Sequence, residues 1–176
     1  QGRGRGWQLE RQLAVFAGTF DLDDAASVVV LPPGSAELLD LVQTLREKSL
    51  IAAAPSEGTP RFGLLVSVRA FAVARDPNRG RTWGRHAAWV VARAQADGHA
   101  AARSTVESVS GRGALHSELV LALAQLKQLD ADPALLADVV VALRTTWTGT
   151  APLEDYVALV DRCLERSSDL PPASVL

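Results

Sequence analysis

The chain has 176 residues, enough to bury one or two cores, and its 48% hydrophobic and 22% charged residues exclude wholesale disorder. Its formal net charge of −2 and pI near 5.9 supply no global cationic surface of the kind that binds phosphate backbones or anionic membranes. A single cysteine, Cys163, excludes an internal disulfide and a thiolate cluster and fits a reducing cytoplasm.

No apolar run reaches the roughly 18 residues that span a bilayer, and no early stretch has the build of a secretory leader, so the sequence reads as soluble and cytoplasmic, with no membrane partner. The lack of any methionine, even at position 1, leads us to expect a fragment or processed piece of a longer protein. The one basic run, Gly2-Arg3-Gly4-Arg5-Gly6, reads as a flexible tail with its cations in water.

Leu9, Leu13, Val15, Phe16 and Phe20 recur at spacings of one helical face, predicting a helix from about Trp7 to Phe16 that ends at Gly18. A second helix starts at Asp21, whose carboxylate can accept from the free amides of the first turn, with Asp23 and Asp24 set against the dipole. Ala25, Ala26, Val28 and Val29 face the core, and Leu31-Pro32-Pro33-Gly34 stops it. Ser35 is the expected cap of a third helix, Ala36 to Lys48, with the stripe Leu38, Leu41, Val42 and Leu45. Its opposite face presents Glu37, Asp40, Gln43, Arg46 and Glu47. The apolar runs Ser49 to Ala54 and Arg61 to Val66 flank the turn-forming Pro55-Ser56-Glu57-Gly58-Thr59-Pro60, which predicts a β-hairpin. A fourth helix over Ser67 to Ala74 follows, and Asp76-Pro77-Asn78-Arg79-Gly80 reads as a linker.

Beyond it the pattern is helical throughout. Thr82 is the expected cap of a helix carrying Trp83, Ala87, Val90, Val91 and Ala94, which loosens near Gly98. Residues 103–113 read as a loop or broken helix. Leu115 to Leu129 is amphipathic, Asp132-Pro133 opens a helix to about Trp147, and Pro152 opens another through Leu153, Val157, Val160 and Leu164. Leu170-Pro171-Pro172-Ala173 would begin one more. Three helices, a two-stranded wing and then helical hairpins give a mainly α fold: a winged helix over residues 7–76, then a truncated helical repeat-like domain over residues 82–176. Each helical pair has apolar residues on more than one side and can bury them only by stacking on a neighbour, which predicts an exposed apolar end at the C-terminus.

Three stretches carry a family resemblance: Leu13-Ala14-Val15-Phe16-Ala17-Gly18-Thr19-Phe20-Asp21-Leu22; Leu38-Leu39-Asp40-Leu41 leading to Leu45-Arg46-Glu47-Lys48-Ser49-Leu50; and Arg61-Phe62-Gly63-Leu64-Leu65 with Val68-Arg69. Together they resemble the winged-helix subdomain of bacterial multidomain signalling ATPases of the STAND type, transcriptional regulators that join a nucleotide-binding module to a winged helix and tetratricopeptide-like repeats. Asp161-Arg162-Cys163-Leu164-Glu165 with Leu170-Pro171-Pro172 resembles the first of those repeats. The resemblance implies a domain that reports whether ADP or ATP is held by an upstream module, with no cofactor in this stretch itself. It also implies protein partners: the nucleotide-binding module of the same parent chain, and a signalling partner on the repeats. In many relatives a Met-His-Asp triplet ends the wing and its histidine touches the diphosphate. Here the matching positions are Leu64, Leu65 and Val66, which removes that contact. Arg69 stands where relatives often keep an arginine and is the one candidate for contact with the nucleotide module, against an ordinary solvated or ion-paired role.

Other chemistry finds no foothold. No G-x-x-x-x-G-K-[ST] loop is present to cradle phosphates, and no G-x-S-x-G elbow presents a serine nucleophile. His86, His99 and His116 lie 13 and 17 residues apart, a spacing that matches no compact zinc site, and read as solvent-facing or locally bonded side chains. Cys163 reads as a half-buried structural thiol in an amphipathic helix. Trp83 and Trp89 cannot share one helix face, and Trp147 and Tyr156 read as hairpin-packing residues. A DNA-reading third helix would want Arg, Lys, Asn or Gln outward. This one sets Glu37, Asp40 and Glu47 against Arg46 and Lys48, with Glu57 on the wing, so nucleic acid is not an expected partner of this stretch. The leading expectation is a non-catalytic regulatory fragment that couples nucleotide state to a helical interaction array; the alternative is a winged-helix DNA-binding transcription regulator.

Overall fold

The computed structural model describes residues 2–56, 58–101, 108–129 and 131–146, and within them the chain is mainly helical. The elements are α1 (Gly2–Leu13), α2 (Leu22–Val28), α3 (Leu38–Glu47), β1 (Ile51–Ala54), β2 (Arg61–Leu64), α4 (Val66–Val73), α5 (Arg79–Ala101), α6 (Ser108–Gln128) and α7 (Pro133–Thr146). They fall into two compact units, Gln1–His86 and Ala87–Leu176; α5 begins in the first and ends in the second.

In the first unit α1 packs against α2, α3 and α4, with Leu9 and Leu13 wholly buried one turn apart. The helix stops at Leu13, three residues before the expected Phe16, and Ala14, Val15 and Phe16 pass through the core as a turn. The stop frees Phe16 and Phe20 to stack with ring centroids 5.0 Å apart. Phe20 then pairs with Phe62 through two backbone hydrogen bonds of 2.8 Å, so the outer edge of β2 is covered and Phe62 turns inward. Beyond it the chain enters α2 through a complete capping box: the Asp24 amide donates to the Asp21 carboxylate at 2.8 Å, and the Asp21 amide donates to that of Asp24 at 3.1 Å.

The hairpin forms as expected, antiparallel with Ile51 opposite Leu64 and Ala54 opposite Arg61. Arg61, at the start of β2, donates to Thr19 Oγ1 and the Thr19 carbonyl and lies 3.3 Å from both Asp21 and Asp24. One guanidinium thereby ties the base of the hairpin to the cap of α2. Such a fork satisfies several acceptors at once, which a lysine cannot match.

Further element boundaries differ from the sequence expectation. The Gly-Arg run continues α1 instead of trailing as a tail; adding residues to an existing helix is cheap once the packed turns around Leu9 and Leu13 have nucleated it. Ser35 is not the cap of α3. It closes a turn by donating to the Pro32 carbonyl at 3.1 Å, with Pro33 inside the turn and Gly34 at φ +71°, so α3 starts two residues late at Leu38 behind Glu37, which makes no side-chain cap. Residues 76–80 are not a linker throughout. The Asn78 amide donates to Asp76 at 2.9 Å and the Asn78 carbonyl accepts from Thr82, so α5 begins at Arg79 and Thr82 lies inside its first turn. Within 103–113, the part from Ser108 onward is helical, and α5 likewise runs past Gly98 to Ala101.

In the second unit Ala87, Val90, Val91 and Ala94 make a buried stripe on α5. Helices α6 and α7 pack along their lengths, burying Leu115, Leu119, Ala122, Leu123 and Leu126 on one and Leu136, Val139, Val140 and Leu143 on the other. Asp132 opens α7 as expected, accepting from the Ala134 amide with Pro133 at the first helical position. The helices expected after Gly149, the apolar C-terminal end, Glu57, Trp147, Tyr156 and Cys163 lie outside the described residues.

The end of α3 holds a strained residue. Ser49 donates to the Arg46 carbonyl and Leu50 to the Leu45 carbonyl, the paired bonds of a Schellman close, and Ser49 adopts φ +57° where glycine is the usual occupant. Ser49→Gly is expected to raise stability by about 0.5–1 kcal/mol, because relief of the left-handed strain outweighs the extra freedom of glycine in the unfolded chain. Urea unfolding checks it; an unchanged or lowered midpoint would contradict the strain.

Candidate functional site

The hairpin passes into α4 through the β2–α4 corner. Leu64 ends β2, Leu65 is the N-cap of α4 and Val66 its first residue, and the Leu65 amide reaches the Leu50 carbonyl at 3.4 Å. Leu65 is 45% exposed and Val66 86%. An outward leucine and valine thus stand side by side at this corner. They can join an apolar contact but neither donate nor accept a proton.

Arg69 lies one turn along α4, and its guanidinium is engaged inside the unit. Nε donates to the Ala14 carbonyl at 3.1 Å and Nη1 to the Ala17 carbonyl at 3.0 Å. Ala14 follows the last residue of α1, where carbonyls have no helical partner, so a cation here satisfies acceptors and complements the negative end of the dipole. This contact ties α4 to the exit of α1, next to the turn that carries Phe16 into the core.

A second polar cluster surrounds Gln12, which is 6% exposed on the otherwise apolar side of α1. Its carbonyl oxygen accepts from the Val30 amide at 2.8 Å while its nitrogen donates to the Val30 carbonyl at 3.1 Å, reproducing with a side chain the paired bonds of a strand. Arg85 donates to that same Gln12 oxygen at 2.9 Å and to the Val28 carbonyl, at the last residue of α2, at 2.6 Å. Burial pushes the Arg85 guanidinium below its ordinary value; Asp76 opposes that shift and Arg81 reinforces it. The sequence gives little warning of Gln12, since one amide beside an apolar stripe resembles a solvated residue.

Glu10 is the clearest unused acid. It is 3% exposed, its Oε2 has no hydrogen-bond partner among the described residues, and it lines a shallow groove of about 240 Å³ with Leu50, Ser67, Val68 and Phe71. Desolvation raises its carboxyl above the ordinary value, and the charges of Lys48 and Arg11 only partly oppose this.

His86, expected at the surface or in a local bond, is instead wholly buried, with its ring edge-on to Trp83 at 5.4 Å and to Phe16 at 5.5 Å. Its position three residues after Trp83 on the buried face of α5 accounts for that. His116 Nδ1 lies 3.2 Å from Thr146 Oγ1. Trp89 is half-buried beside Arg93. Among the described residues no three His, Cys, Asp or Glu side chains converge as metal ligands would, and no helix is long and apolar enough to cross a membrane.

No protein-family model matches the chain, and neither the curated proteins nor the solved structures contain a significant match.

Two outcomes follow from this geometry. Arg69→Met should cost about 2 kcal/mol by stranding two carbonyls, read as a lower denaturation midpoint; an unchanged midpoint would mean the two bonds are not formed in solution. For Glu10, both folded and unfolded chains are protonated well below the ordinary carboxylate range, so burial there is free of charge. As pH rises, the unfolded chain ionises first and stability falls until the raised folded value is passed. Glu10→Gln should therefore stabilise more at about pH 7 than at about pH 3.5. A gain equal at both would show that its ionisation is not linked to folding.

Proposed function

We propose that this chain is a non-catalytic coupling piece of a larger regulatory ATPase: a winged helix over residues 7–76 followed by the opening hairpins of a tetratricopeptide-like array. Three helices, an antiparallel hairpin and a return helix, in that order, support the winged-helix reading. The cover that Phe20 places on the edge of β2 supports it too, because it fixes the hairpin against the helices. The long pairing of α6 with α7 supports the repeat reading.

The observation that carries the functional half is the outward face of α3. Glu37, Asp40, Gln43, Arg46, Glu47 and Lys48 are all exposed, and Leu39 is 52% exposed among them. Three acids against two bases repel a phosphate backbone, while an exposed leucine in a mixed-charge field suits a protein surface. Leu65 and Val66 on the β2–α4 corner extend that apolar character. In this reading the face of α3 and the corner pack on a nucleotide-binding module that precedes the winged helix in the parent chain and holds ADP or ATP, and the helical array takes the incoming signal. The chain itself turns over no substrate and acts in the cytoplasm.

The coding sequence around residues 1–176 is expected to encode a phosphate-binding loop upstream and further helical hairpins downstream. Finding neither would sink the coupling role. The rival class, a DNA-reading winged helix, makes the opposite forecast for the purified chain. It would bind duplex DNA with an affinity that falls steeply with salt, whereas the coupling piece shows no such binding at physiological salt in a fluorescence-anisotropy titration.

A further inference from the structure

Within the first unit a cavity of about 310 Å³ opens between α1, Val30 in the segment after α2, and the turn and first turns of α5 over residues 76–85. Three arginines line it: Arg11 from α1, and Arg81 and Arg85 from the first two turns of α5. Gln8, Gln12 and Asn78 add side-chain amides, and Asp76 is its one acid. Arg81 and Arg85 stand four residues apart on one helix, the spacing at which like charges face each other and destabilise. Among the described residues neither Arg11 nor Arg81 makes an ion pair. Asp76 spends one carboxylate oxygen on the Asn78 amide at 2.9 Å, in the turn that starts α5.

A surface that only needed solubility would intersperse its charges. Here three guanidiniums gather round one cavity in a chain whose net charge is −2. Arg85 is also held rigidly, since it donates to the Val28 carbonyl and to Gln12 and so keeps a fixed cation in the cavity wall. Arg11, half-buried, and Arg81, exposed, flank it. A planar donor held in place with two further guanidiniums beside it is an arrangement suited to an oxyanion with several acceptor oxygens. A volume of this size falls at the lower end of small-molecule sites and leaves room for more than a lone monoatomic ion.

We propose that this cavity binds a small phosphate-bearing molecule, with Arg81 and Arg11 closing on the phosphate oxygens and Arg85 as the fixed point. The site stands on residues other than those of the coupling surface, so either reading can fail without the other. It also gives the unit a way to answer a ligand, because Gln12 and Arg85 connect the cavity wall to the last turn of α2 and to the segment at Val30. A phosphate that draws Arg81 towards Arg85 removes the repulsion between them and stiffens that connection.

The test uses the 176-residue chain at fixed ionic strength, titrated with inorganic phosphate and pyrophosphate and followed through the arginine Nε–Hε resonances. Saturable shifts are expected at Arg81, Arg11 and Arg85, with pyrophosphate the tighter ligand. Arg81→Gln and Arg11→Gln, which keep the internal bonds of Arg85, should each weaken binding about tenfold, as loss of one charge-assisted contact does. Their thermal midpoints without ligand should match the parent, which separates lost binding from lost folding. Linear, non-saturating shifts, or an affinity indifferent to both substitutions, would overturn the site. Anionic-lipid vesicles form the second arm: capture by vesicles that pyrophosphate cannot compete away would place the arginines on a membrane surface and reject a soluble ligand.

Discussion

Two backbone hydrogen bonds between Phe20 and Phe62 decide how the first unit assembles. A two-stranded hairpin alone is marginal in water, and this one leaves Ala52, Ala53, Pro55 and Ser56 exposed, so its own apolar content cannot hold it. The bridge supplies a second partner for β2 and draws Phe62 against Phe20, whose ring stacks on Phe16. It also sets Thr19, Asp21 and Asp24 beside Arg61, so the capping box of α2 and the base of the hairpin share one cation. An early stop of α1 at Leu13 makes this possible, because a helix continued to Phe16 would carry that ring off the line between Phe20 and His86.

Polar side chains then connect what the aromatic stack brings together. Arg69 closes the exit of α1 from α4, Arg61 closes the entry of α2 from β2, and Arg85 closes the end of α2 from α5. Each guanidinium reaches backbone carbonyls or a cap at an element terminus, where unpaired groups concentrate. Short helices such as α2, with seven residues, contribute little stability alone, so these terminal contacts matter more here than in a long-helix bundle. They also limit what the arginines can do elsewhere. Arg69 spends Nε and Nη1 on two carbonyls, and Arg85 spends Nε and Nη2 on the Val28 carbonyl and the Gln12 side chain, which leaves it one Nη group, while Arg11 and Arg81 make no such bonds among the described residues.

Periodic apolar patterns made the helices and the hairpin legible in the sequence, and Asp21 and Asp132 were legible as caps because their chemistry is local. The starts of α3 and α5 turn on competition that periodicity does not record. Ser35 had two uses, a cap or the close of the Pro32–Gly34 turn, and the turn won. Asp76 to Asn78 looked like a break until the Asp76 side chain satisfied the Asn78 amide and started a helix. His86 and Gln12 were illegible for a further reason: a polar residue on a half-apolar face looks the same whether it meets water or a partner distant in sequence. Glu10 and the arginine-lined cavity belong to that class, since both depend on contacts 18 or more residues away or on which groups share a wall.

The charges of the first unit are sorted as well as numerous. Its acids crowd the outer face of α3 and the first turn of α2, while Arg11, Arg81 and Arg85 gather at a separate cavity. A net charge near zero hides that separation, which is why whole-chain electrostatics argue against a nucleic-acid surface yet say nothing about a local anion site. The same sorting bears on the proposed coupling role. An acidic face with one exposed leucine favours a basic or amphipathic protein partner. A cationic cavity on different residues lets a small anion act on the last turn of α2 without competing for that partner. Because Gln12 lies on the same helix as Glu10 and the carbonyl of Ala14 accepts from Arg69 just past its end, α1 is the element through which a change at the cavity would reach the β2–α4 corner.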